Sequence, residues 1–227
     1  MPSILLTSAI LLSVVLLNAE TVIAARLTSG RCMVEADLSS EVTKLSFAGA
    51  YEEQEKIKNL LIRQGRRSSS CRTRVISVLM RAMDKPNPGL YVWLFGAEIL
   101  PALRAVEALD LLIANLQEHD GTPFPLSHHP AMTAVGRMGV LALPKLITAL
   151  RESPDADQRR HVVFCLTWIG GPSARRALSK SLPRETNKCT KFFIESSLRA
   201  LSNKQKPNHI VEPDRLKWYG SFLCRGV

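Results

Sequence analysis

Apolar residues in the middle of this chain recur at helical spacing. Leu143, Leu146, Ile147 and Leu150 stand at offsets of three, four and seven, which places them on one face of an α-helix. The same stripe occurs one repeat length earlier as Leu109, Leu112, Ile113 and Leu116, and one repeat length before that as Ile76, Leu79, Met80 and Met83. The corresponding forward step gives Arg175, Leu178, Ser179 and Leu182, so half of the stripe has turned polar. A terminal repeat is expected to look like this, because its outer face meets water instead of a further repeat. Before each of the last two stripes stands an apolar helix ending in glycine: residues 134–139, then Ala142, and residues 165–171, then Ala174. Gly139 to Gly170 and Ala142 to Ala174 are nearly equal steps along the chain. The pattern predicts an all-α fold, an α-solenoid of stacked antiparallel helix pairs with about four repeats and a capping helix.

Other elements follow from the same reading. Residues 47–63 alternate Tyr51, Ile57, Leu60 and Leu61 with charged positions, with early acids and later bases, as the helix dipole favours. A serine among residues 68–70 can cap the helix that carries Val75 to Met83. Residues 84–89 read as a turn, and 90–100 as a nearly all-apolar helix buried between neighbours, with Trp93, Leu94 and Phe95. Pro101 fits the first turn of a following helix over about 102–117. That helix should be a turn longer than its successor, since aligning Ala105 and Leu109 with Ala142 and Leu146 gives a wider offset than the stripes do. Residues 119–130, with three prolines, read as a loop. A last helix over 187–202, with Phe192, Phe193, Ile194, Leu198 and Leu201, should close the stack. The tail 203–227, with Trp218, Tyr219, Phe222 and Leu223, should fold back onto it.

The amino-terminal part reads differently. Residues 4–17 form an uncharged apolar run, short of the roughly 20 residues that span a bilayer. With the compact residues Val22, Ile23 and Ala24 after it, the run reads as a signal peptide over 1–25, cleaved after Ala24 or Ala25. The mature protein is then secreted or periplasmic; uncleaved, residues 4–25 would anchor it to a membrane. Residues 26–46 are weakly patterned and read as an extended arm ahead of a repeat domain over 47–202.

At residues 134–139, 142–146 and 169–174 the chain resembles the HEAT-like repeats first named in phycobilin lyases, and more loosely the wider HEAT family. The resemblance covers 128–182 and extends to 75–117; it does not reach the chain before residue 50. It implies a right-handed stack of helix pairs holding a partner on its concave face, and no particular chemistry. Two alternatives come with it: a nucleic-acid binder similar to the HEAT-like DNA glycosylases, and an enzyme similar to the phycobilin lyases. Export argues against both. Iron-binding HEAT-like enzymes carry His-Glu dipeptides on successive helices, and this sequence has none.

Charge narrows the partner. The formal net charge is +10, and the stretch from Lys56 through Lys58, Arg63, Arg66, Arg67, Arg72 and Arg74 to Arg81 contains no acid. A second basic run spans 175–206. Such a surface favours an acidic partner. Arg66, Arg67, Arg72, Arg74, Arg159 and Arg160 are the candidate partner-binding residues, although Arg159 and Arg160, at a repeat-helix start, also suit contacts between repeats. His119, His128 and His129 cluster near the proline-rich loop without the converging set a metal needs. No phosphate-cradling glycine loop, Ser-His-Asp arrangement or CxxC pair occurs. We therefore expect no catalytic residue, cofactor or metal. Of the five cysteines, Cys165 lies in an apolar helix and reads as core; the other four could form two bridges, Cys189 with Cys224 being the favoured pair. The function expected is that of a non-catalytic exported protein-interaction scaffold.

Overall fold

The computed structural model describes residues 32–46, 51–86, 88–117 and 129–202. They form helices α1 (Glu35–Lys44), α2 (Tyr51–Gly65), α3 (Ser69–Met83), α4 (Leu90–Ala102), α5 (Leu109–Ala114), α6 (Pro130–Met138), α7 (Leu143–Glu152), α8 (Ala156–Ile169), α9 (Gly171–Ser181) and α10 (Lys188–Ser202). Short 3-10 helices at Val106–Ala108 and Gly139–Ala142 lead into α5 and α7, and Leu182–Arg184 follows α9. Among the described residues there is no strand, and the fold is all-α.

Packing follows chain order. The larger helix contacts join a helix to its neighbour or its next-but-one neighbour. Helices α2, α4, α6, α8 and α10 lie successively against one another in one layer; on the other side α1 packs on α3, and separately α5 packs on α7 and α7 on α9. The core fills the space between layers. Its fully buried side chains include Leu61, Ile76, Leu79, Leu100, Leu112, Leu146, Leu166 and Leu178, each contributing about 2 kcal/mol by leaving water. The apolar stripes thus face inward: Leu109, Leu112, Ile113 and Leu116 are all buried, as are Leu146 and Leu150, whereas Arg175 and Ser179 are exposed.

The turns repeat as well. Gly139 has φ 60° and ψ −132°, and Gly170 has φ 69° and ψ −159°. That region of backbone space is open almost only to glycine, so the two residues make the same kind of turn, from α6 to α7 and from α8 to α9. Gly136 has a second reason to lack a side chain. A Cβ there would lie 2.7 Å from the Trp168 ring, so α6 approaches α8 through this glycine.

Two expectations are corrected. The segment expected as an extended arm contains α1, with Leu38, Val42 and Leu45 buried against the next two helices. Three apolar positions at offsets of four and three suffice because tertiary bonds hold the helix in place. These are the Cys32–Cys71 disulfide, Arg74 donating to the Met33 carbonyl, and the Arg81–Glu35 ion pair. The second correction concerns the long helix expected over 102–117. Pro101 instead belongs to the last turn of α4. The chain then closes a Schellman cap, with Arg104 N–H donating to Pro101 O and Ala105 N–H to Leu100 O. Arg104 takes the left-handed position, φ 53°. The extra residues in this repeat form the cap and a 3-10 turn, and α5 is left short, Leu109–Ala114.

The stretch Pro130–Glu152, with mean hydropathy 1.3, is long and apolar enough to cross a bilayer. It is not one straight rod. The run breaks at Gly139 into α6 and α7, which pack on α4, α5, α8 and α9. The expected signal peptide, the loop up to residue 128 and the tail from residue 203 lie outside the described residues.

Candidate functional site

The six candidate arginines do not form one site. Arg66 and Arg67 are exposed at the turn between α2 and α3. Arg72 donates Nε to Leu103 O, Nη2 to Arg104 O, and both Nη atoms to Glu107, at 2.7–3.1 Å. It therefore ties α3 to the cap after α4. Arg74 is used on Met33 O at 3.0 Å.

Arg159 and Arg160 sit together on α8. Arg159 donates to Ser153 O and Pro154 O and pairs with Glu185 at 2.7 Å, its own side chain 15% exposed and that of Glu185 4%. The Arg159 hydrogen bond holds the Glu185 carboxyl below its ordinary range, outweighing burial. Arg160 pairs with Asp157 at 3.0 Å and reaches Cys189 Sγ at 3.7 Å. Arg72, Arg74, Arg159 and Arg160 are thus engaged within the fold.

A second cluster lies on the layer of α2, α4 and α6. Lys58 of α2 bonds Glu55 and Glu98 at 2.7 Å each, and Glu98 of α4 also faces Arg137 of α6 at 3.8 Å. Burial opposes the Lys58 charge, but the hydrogen bonds to Glu55 and Glu98 prevail and raise its pKa. Tyr51 donates to Glu55 at 3.1 Å. The Tyr51, Tyr91 and Phe95 rings, with Leu94 and Thr133, line a cavity of about 160 Å³ beside this network. Small-molecule sites run to roughly 300–1,000 Å³, so this one suits a single side chain. Glu98 was not singled out by its sequence neighbourhood, though it is the one charge in an otherwise apolar helix and could have been.

The third region is α9 with the start of α10. Ala174, Ala177 and Leu178 are buried, while Arg175, Arg176, Ser179 and Lys180 are exposed. Gly171, Pro172, Arg175, Arg176, Ser179 and Leu201 line an open groove of about 510 Å³ between α9 and the end of α10. Arg184, Lys188 and Lys191 extend the same charge, all exposed.

The reactive side chains are structural in placement. Cys165 is free and fully buried, and burial pushes its thiol up to about 12, so it is not a nucleophile at neutral pH. Cys32 pairs with Cys71. Cys189 is disulfide-bonded, while Cys224 lies outside the described residues. His161 Nδ1 is 2.7 Å from Asp157 O, and its ring lies 5.6 Å from that of His129 and edge-on to Phe164. Burial lowers the His161 pKa. His119 and His128 are outside the described residues. Among the described residues no three His, Cys, Asp or Glu side chains gather as a metal would require.

These features define a layered all-α protein with exposed basic and aromatic surfaces. Comparison with models of protein families, with curated proteins and with solved structures gave no match.

Proposed function

We propose that this protein is an exported, non-catalytic interaction scaffold of the HEAT-like repeat kind, holding an acidic protein partner on stacked helix pairs. The observation that carries the reading is the packing order: among the described residues each helix leans chiefly on its near neighbours in the chain, as in a stack of helix pairs. The recurrent glycine turns at Gly139 and Gly170 support the repeat assignment. The Cys32–Cys71 disulfide supports export, because such bonds persist in oxidising compartments. Basic side chains set the rate of encounter, and apolar contacts such as those in the Tyr51–Phe95 cavity set the lifetime. Arg66 and Arg67 stand at an exposed turn where a partner can reach them. Engaging Arg72, Arg74, Arg159 or Arg160 would first break bonds that join repeats.

The test is affinity capture with the mature chain from the envelope and secreted fractions of its native cell, with mass measurement of the amino terminus. One acidic protein recovered reproducibly, on a chain beginning near residue 25, is the expected result. Recovery of no specific partner, or a retained amino terminus in a cytoplasmic fraction, would overturn the proposal.

A further inference from the structure

Elsewhere in the described fold many cations meet carboxylates, although Lys56, Arg63, Arg66 and Lys85 stand exposed. Lys58 has Glu55 and Glu98, Arg72 has Glu107, Arg81 has Glu35, Lys145 has Asp110, and Arg159 has Glu185. The carboxyl end of the described helices carries the densest set of cations without one. Arg175, Arg176, Lys180, Arg184, Lys188 and Lys191 crowd onto α9, the turn after it and the start of α10, and among the described residues none of them has an ion pair or other side-chain partner. The acid within the run, Glu185, is taken by Arg159, and α9 itself has no acid. Like charges on adjacent turns repel one another, so a ligand that neutralises them relieves a standing cost.

We infer that this end of the stack is the docking surface for the scaffold's partner, and that its occupant is an extended acidic peptide segment of that partner. The inference rests on the scaffold reading above and narrows it to one site. Charge complementarity selects the occupant. The groove beside Arg175 and Arg176 is floored by Gly171, Pro172 and Leu201, so it admits an apolar side chain between carboxylates. The chain's own tail is a poor match, since residues 203–227 carry five Lys or Arg against Glu212 and Asp214. Helix α9, with 11 residues, is about 16 Å long, which five or six extended residues span.

The probe is a fluorescein-labelled dodecapeptide of alternating Glu and Ala with one central Leu, titrated into the full mature chain by anisotropy. The triple variant R175E/R176E/K180E should bind at least about tenfold more weakly, with the salt dependence of the interaction largely lost. K56E/R63E, which reverses two exposed charges on α2, should bind as wild type. No binding by the wild type, equal weakening by both variants, or undiminished binding by the triple variant would each overturn the inference. So would tighter binding, through the same three residues, of a heparin decasaccharide or of vesicles containing phosphatidylglycerol. If affinity capture recovers a protein that the triple variant retains, the scaffold reading stands and this surface is wrong; if the wild type recovers none, the scaffold reading itself fails.

Discussion

Residues 56–81 and 175–191 are both dense in lysine and arginine, and as sequence they read alike. In the fold half of the first run is absorbed, while Lys56, Arg63 and Arg66 stay exposed. Lys58, Arg72, Arg81 and Arg74 reach carboxylates and carbonyls on other elements: Glu98 of α4, Glu107 before α5, Glu35 of α1 and the Met33 carbonyl. The second run sits on α9 and the start of α10, where no following helix supplies acids among the described residues, and its charges stay exposed. Charge in a stacked fold is therefore a property of position. The same composition is cement between helices in one place and open surface in another.

The strongest way to break that contrast is at the amino-terminal end. C32S/C71S removes a bridge closing a separation of 39 residues, which should cost about 4 kcal/mol in urea-unfolding midpoint and slope. It should also loosen α1 and free Arg74 and Arg81, so that the first run gains affinity for the acidic peptide; unchanged stability would mean that packing alone fixes α1. Next, R159A leaves the Glu185 carboxylate buried without its partner and should cost about 3 kcal/mol. R175E/R176E/K180E, by contrast, should unfold at no lower a denaturant concentration than wild type, because those side chains bond nothing among the described residues and their repulsion of Arg184, Lys188 and Lys191 is removed.

Smaller effects sharpen the reading of the turns and layers. G136A should destabilise by about 1 kcal/mol through contact with Trp168, and the sign should reverse in a W168L background, where alanine is the better helix former. R104G should stabilise by about 0.5 kcal/mol, because glycine relieves the left-handed strain at φ 53° while adding unfolded-state freedom. The smallest effect is on pH dependence. His161, lowered by burial from 6.5, is held neutral in the fold, so the unfolded chain binds the proton first. Stability is then full above about pH 6.5 and declines below it, down to the folded pKa. Thermal midpoints between pH 7.5 and 5.5 should fall in the wild type and fall less in H161Q; equal slopes would refute the assignment.

The helix stripes, the glycine turns, a serine cap before α3 and the half-polar last stripe could all be read from residues, because each rests on local periodicity or backbone chemistry; that Ser68 is the serine that caps is shown by the structure. The α1 helix could not. Its three buried apolar residues outrank the weak local pattern only once Cys71, Arg74 and Arg81 hold it down. Nor could the cap after α4, where Pro101 looked like a start and Arg104, not glycine, takes the left-handed position.

By itself the sequence determined which faces are apolar and where the chain must turn, since a side chain's hydrophobicity and a glycine's freedom are local properties. Only the tertiary structure decided which charges meet, because ion pairs join residues such as Lys58 and Glu98, or Arg159 and Glu185, 40 and 26 positions apart. Their pairing depends on how the layers bring those residues together.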